Sequence, residues 1–145
     1  MRTLATLAFL VSVNAWAACP ELTGTYNCNY SDGSKETVTI KQENKDGIVI
    51  YDYNGSSVPA DNQIRQIPDD QTIKQGTFRA WCDNESLKTQ MLGKYYQDGQ
   101  FFGDLTLNMD FTKVGTDLKA TNTGFVKNSA GEYPLNSEVI CNPAN

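Results

Sequence analysis

The chain contains no histidine. That removes the usual general base of nucleophilic catalysis and the commonest metal-ligating side chain. No Cys-x-x-Cys pair occurs among its four cysteines, so zinc has no donor framework either. Basic clusters are also missing. Twelve Lys and Arg stand against seventeen Asp and Glu, a formal net charge of −5. Such a chain has no electrostatic footprint for nucleic acid or for an anionic membrane. Asp104 and Asp110 share the polar face of one expected strand but lie six residues apart, roughly 20 Å at strand spacing. A glycosidase pair needs roughly 5–10 Å. These absences together predict a non-enzyme without cofactor or metal.

Long apolar runs are confined to the N-terminus. Arg2 supplies a short positive region, Leu4 to Val13 is almost wholly apolar, and Ala15-Trp16-Ala17 is a small-x-small site. This is the three-part pattern of a secretory signal peptide over 1–17. The apolar stretch is roughly half the twenty residues a membrane-crossing helix needs, and no later segment reaches that length. The expectation is a secreted or periplasmic protein with no integral membrane segment in its mature chain. Removing 17 of 145 residues leaves 128, enough for one domain over 18–145. Loss of Arg2 takes the net charge from −5 to −6.

Four cysteines, Cys19, Cys28, Cys82 and Cys141, enter that oxidising compartment and predict two disulfides. The expected pairing is Cys19–Cys141, stapling the chain ends, with Cys28–Cys82. Cys19 directly follows Ala17-Ala18, where a lipidated cysteine would stand. Lipidation would leave three cysteines, an odd number, so the unanchored form is the expectation.

After the leader there is no helical period, internal repeat or low-complexity tract. Short alternating runs are punctuated by Asp32-Gly33, Asp46-Gly47, Asn54-Gly55, Asp98-Gly99 and Ala130-Gly131. Strands are expected at 23–30, 36–43, 47–54, 62–67, 71–75, 77–83, 86–96, 100–111, 117–127 and 132–141. In the clearest of them Phe101, Gly103, Leu105, Leu107, Met109 and Phe111 alternate with Phe102, Asp104, Thr106, Asn108 and Asp110. Such alternation means one dry and one wet face. A two-residue loop at Asp98-Gly99 sets Tyr96 opposite Phe101, Tyr95 opposite Phe102 and Leu92 opposite Leu105. At Asp32-Gly33 a three-residue loop is expected, with Cys28 opposite Val38 and Tyr26 opposite Ile40. Connections this short predict an all-β fold, an antiparallel up-and-down barrel of about 8–10 short strands.

Gly24-Thr25-Tyr26 resembles the Gly-x-Trp that opens the first strand of lipocalins, with Tyr26 in the Trp place. Thr116-Asp117-Leu118 is similar to part of their later Thr-Asp-Tyr. The resemblance implies a barrel with an apolar ligand cavity. Tyr26-Asn27-Cys28 also resembles an early Tyr-x-Cys of small periplasmic barrels that inhibit C-type lysozymes. That implies a protein partner.

The residues divide accordingly. Inward Tyr26, Tyr30, Phe78, Leu105, Leu107, Met109 and Phe111 would hold a small apolar or amphipathic ligand, or else fill a solid core. Outward Trp81, Tyr95 and Phe102 would anchor a sugar or a secreted protein partner. The function expected first is a secreted binding module with a small apolar ligand in its barrel. The second is a protein–protein module such as a periplasmic inhibitor of a lytic enzyme.

Overall fold

The computed structural model describes residues 19–144, so the signal peptide expected at 1–17 lies outside the described residues. Eleven strands occur and no described residue is helical: β1 (Gly24–Asn29), β2 (Lys35–Lys45), β3 (Ile48–Tyr53), β4 (Ser56–Pro59), β5 (Arg65–Gln66), β6 (Ile73–Asp83), β7 (Ser86–Gln97), β8 (Gln100–Val114), β9 (Asp117–Asn128), β10 (Gly131–Pro134) and β11 (Ser137–Pro143). Among the described residues no helix is long and apolar enough to cross a membrane.

Turn chemistry explains the meander. At Asp46-Gly47, Asn54-Gly55 and Asp98-Gly99 both central residues have positive φ. That is the type I′ hairpin turn, whose twist matches that of the strands it joins. The Asp32-Gly33 loop has the expected three residues, with the Tyr30 N–H donating to the Ser34 carbonyl at 2.9 Å. Its partners differ from expectation by two positions: Tyr26 faces Val38 and Cys28 faces Glu36. Each residue pairs with the one equally far from Asp32, and an even shift keeps every side chain on its face.

Other boundaries also move. Ser56–Pro59 forms a strand that the alternation did not reveal, while 62–67 contributes only Arg65–Gln66. The runs at 71–75 and 77–83 are one strand, bulged between Lys74 and Thr77. The run at 132–141 breaks at Leu135-Asn136 into β10 and β11.

The strands form one antiparallel sheet in the order β4-β3-β2-β1-β11-β9-β8-β7-β6-β5, with β10 beside β9, curled into a half-barrel. Strands consecutive in sequence pair, except β4 with β5 and β10 with β11, and the first and last strands also pair. The seam of the curl therefore lies between β4 and β5. The chain crosses it once: the Ala60 N–H donates to Val49 on one side, and the Asn62 N–H donates to Ala80 on the other. At this crossing the Arg65 guanidinium donates to both oxygens of Asp61, at 2.8 and 2.6 Å.

The disulfides are Cys28–Cys141 and Cys19–Cys82, which corrects the expected pairing. Cys28 lies directly opposite Cys141 across β1 and β11, with Cα atoms 4.1 Å apart. The bond to Cys141 comes from a strand residue in register, Cys28, and not from Cys19 at the chain end. Cys19 precedes β1 and crosses to β6 instead. Two disulfides fit an extracellular or periplasmic protein.

Peptide mapping without reduction should recover 19–82 and 28–141 linkages, and Cys28→Ala with Cys141→Ala should lower unfolding stability by about 2–5 kcal/mol. The Arg65 side chain bonded to Asp61 holds that carboxyl down at about 2. A depressed carboxyl stabilises the fold in full above roughly pH 4, and the contribution is lost as pH falls through about 2. With Arg65 half-exposed, screening reduces the effect to about 1 kcal/mol. Urea midpoints should therefore fall less between pH 4 and pH 2 in Asp61→Asn than in the wild type.

Candidate functional site

The interior face of the curled sheet divides into two halves of different character. Around β1, β2, β3 and β11 it is filled. Leu22, Tyr26, Val38, Ile40, Tyr51 and Leu118 are fully buried in one cluster with Ala80, Leu87 and both strand cysteines of the β1–β11 bridge. The segment before β1 runs into this space. The Tyr51 hydroxyl donates to the Pro20 carbonyl at 2.7 Å, and the Tyr26 hydroxyl donates to Leu22 at 3.0 Å. Burial raises the Tyr51 hydroxyl above its ordinary range, as expected for a phenol that donates and stays neutral. Tyr53 and Phe111 meet across the lumen with ring centroids 6.2 Å apart.

Four of the seven interior candidates lie in this filled half. Tyr26, Phe78 and Phe111 pack in or against the cluster, and Tyr30 sits at its rim. The Tyr30 hydroxyl donates to Glu36 at 2.7 Å; burial, with that bond, pushes it up to about 12. Tyr26 fills this half of the interior, 2% exposed.

Leu105, Leu107 and Met109 lie in the second half, where β7, β8 and β9 outrun their neighbours. Across these strands Met91 faces Leu107, Leu107 faces Gly124, and Leu105 faces Val126. Leu105 and Val126 are buried, whereas Leu107, Met109 and Met91 are half-buried. This half of the curl is lined but not filled.

Tyr95 and Phe102 depart from the expected outward placement. Tyr96 faces Phe101 as anticipated, but Tyr95 faces Gly103, because Phe102 is an extra residue in a bulge. The bulge moves the register by one, which exchanges faces. Leu92 consequently faces Thr106, not Leu105, and is 42% exposed on the outer surface. Phe101 goes outward as well, under the Lys94 ammonium, and is 53% exposed. Tyr95 and Phe102 turn to the interior face. Their rings meet edge-on at 6.0 Å, and Phe102 lies 5.2 Å from Tyr133. Tyr133 is opposite Val126, which fixes the face on which this cluster stands.

The structure thus joins residues that the pattern had assigned to separate sites. Leu105, Leu107 and Met109 share one concave apolar face with Tyr95, Phe102 and Tyr133. Tyr133 and Leu135 remain 43% and 40% exposed there. Sequence reasoning missed Tyr133, whose short strand pairs on one side only. Of the three outward candidates only Trp81 is outward, beside a groove on the opposite surface. Among the described residues no three His, Cys, Asp or Glu side chains gather as a metal site.

The curvature of this face depends on two glycines. A Cβ at Gly124 would stand 2.2 Å from the Thr106 carbonyl oxygen, and one at Gly103 would stand 2.5 Å from that of Lys127. Backbones this close leave no room for a side chain.

No family model, curated protein or solved structure matches the chain.

Gly124→Ala should destabilise the protein by about 1–3 kcal/mol, as overpacking does, measured by urea denaturation. Gly99→Ala is the contrast: it meets nothing within 4 Å, and any loss there comes from its positive φ alone.

Proposed function

We propose that this is an exported binding module that engages a protein partner through the open apolar end of its half-barrel. The carrying observation is the Tyr95–Phe102–Tyr133 cluster, which continues the interior face beyond the filled core and stays partly exposed. Aromatic side chains of this kind supply much of the energy of protein interfaces. A partner that inserts an apolar segment between Leu107, Phe102 and Tyr133 would complete the packing that the sheet leaves unfinished. A lytic enzyme of the same compartment is the reading we favour.

The alternative occupant is a small amphipathic ligand. It is less favoured because the enclosed half of the curl is already occupied by Tyr26, Tyr51 and Leu22. Beyond it Tyr133 and Leu135 stay exposed to solvent, whereas small-molecule sites bury most of their ligand. Export rests on the leader at 1–17, with two disulfides as support. The Cys19–Cys82 bond argues against a lipid anchor, since Cys19 has no sulfur left for a thioether. No catalytic role is proposed: the chain has no histidine, and its cysteines are paired.

The test offers the immobilised protein to its own exported fraction and, separately, to a C-type lysozyme. A partner held by wild type and by Trp81→Ala, but at least tenfold less by Phe102→Ala and Tyr133→Ser, is the expected result. Truncating a central aromatic anchor costs about 2 kcal/mol or more. No partner, or equal retention by all variants, would sink the proposal. Native mass spectrometry that releases a small molecule on denaturation would transfer the open end to the ligand reading.

A further inference from the structure

The outer surface of the same sheet carries a groove of about 650 Å³ across β6, β7, β8 and β9. Strand register brings its lining together. Trp81 faces Lys88, Lys88 faces Asp110, Asp110 faces Thr121, and one step away Asn108 faces Thr123. Four strands joined by tight hairpins thus present one aromatic and several polar side chains in two adjacent rows.

The charges in this groove are spoken for. Lys88 is 2.8 Å from Asp83 and 3.9 Å from Asp110, and Lys119 is 2.9 Å from Glu138. Two lysines meet three carboxylates, and with Arg79, which donates to Gln90, the formal charges of these six groups cancel. An anionic ligand would find every lysine already paired. An apolar one would have to cover Asp110 and Asn108, at the desolvation cost of burying polar groups without partners.

The uncharged groups are oriented. The Arg79 Nε donates to Gln90 Oε1 at 3.1 Å, and Gln90 Nε2 donates to Asn108 Oδ1 at 3.0 Å. This chain uses the acceptor of Asn108 and leaves its amide NH₂ directed at other partners. Asp110 is the converse case. Its Oδ1 is buried without a hydrogen-bond partner among the described residues, so the oxygen open to the groove is Oδ2, which Lys88 approaches only to 3.9 Å, beyond hydrogen-bond reach. Thr121 and Thr123 add hydroxyls that both donate and accept. Trp81 stands beside the polar row with the Arg79 guanidinium 5.1 Å from its ring centre, which leaves one face of the indole for a ligand.

We propose that this outer groove is a binding site for a neutral saccharide, distinct from the concave face and independent of the partner proposed for it. Sugar hydroxyls both donate and accept, which matches the free Asn108 amide, the under-partnered Asp110 carboxylate and the two threonines. The C–H face of a sugar ring matches the indole of Trp81. The groove volume falls in the range of about 300–1,000 Å³ usual for small-molecule sites.

The experiment is titration calorimetry with soluble neutral oligosaccharides of the cello, chito, xylo and malto series. Inorganic phosphate and a sulfated oligosaccharide serve as anionic probes. The expected result is saturable binding of at least one neutral series, weakened at least tenfold in both Trp81→Ala and Asp110→Asn. Tyr133→Ser, on the opposite face, should bind the sugar as wild type does. Without residues 1–17, Trp81 is the one tryptophan of the chain, so the same saccharide should also change its fluorescence. Failure of every neutral series to bind overturns the site. So does binding equal in wild type and both groove variants, or binding of the anionic probes alone. Circular dichroism of each variant separates lost binding from lost folding, and Thr121→Val supplies a third, milder groove variant for the same comparison.

Discussion

Cys28 and Cys141 are 113 residues apart in sequence, yet they face each other in one antiparallel strand pair. Closing so long a loop costs chain entropy, though each doubling of length adds only about 0.6 kcal/mol. What the closure achieves is structural. A sheet this wide has two edges with unpaired backbone groups, and pairing the first strand with the last removes the edges at the termini. The break in the ring is displaced to the seam between β4 and β5, where the chain itself runs across and bonds to both sides. The disulfide makes the arrangement permanent in an oxidising compartment. With β1 held against β11, the residues before β1 have one short way in. They take it, carrying Leu22 into the core and Cys19 to β6.

The two halves of the interior follow from strand length. Of the strands around the filled half, β1, β3 and β11 are short, with six, six and seven residues, and only β2 reaches eleven; the space they enclose is small enough for tyrosines to fill. β7, β8 and β9 have twelve, fifteen and twelve residues and continue past that enclosure. Their apolar face goes with them, because the alternation in β8 runs on to Leu105 and Gly103. Among the described residues nothing covers the far end completely: Tyr133 and Leu135 are 43% and 40% exposed there. Gly103 and Gly124 let the extended strands bend closely together, and the bulge at Phe102 turns an aromatic ring inward where strict alternation would have put it in solvent. A curved apolar surface with exposed tyrosine and leucine is the outcome.

The outer face answers to different physics. Its rows of Lys, Asp, Asn, Gln and Thr keep the sheet soluble, and paired charges on neighbouring strands add modestly to its stability. Solubility alone does not require a tryptophan in those rows or a carboxylate short of partners. Trp81 is set outward by the same register that sends Ala80 and Cys82 inward to the core and the disulfide. Its neighbours are then dictated by the hairpins, which align Lys88, Asp110 and Thr121 across three turns.

The alternation of residues 101–111 was enough to identify strands, and the Asx-Gly dipeptides enough to place most hairpins, because both signals are local. A period of two and a positive φ are properties of a few neighbouring residues. Those same local signals implied consecutive antiparallel pairing, and hence a curled all-β sheet. Three things were decided only by tertiary structure. Cysteine pairing depends on which strands finish side by side. The faces of Tyr95, Phe102 and Leu92 depend on a bulge, which arises from how β8 must bend between β7 and β9. The division of Tyr26 and Phe111 from Leu105, Leu107 and Met109 depends on how far each strand extends past its neighbour. Alternation marks a residue as inward in both cases; whether inward means buried is settled by what the rest of the chain brings to the other side.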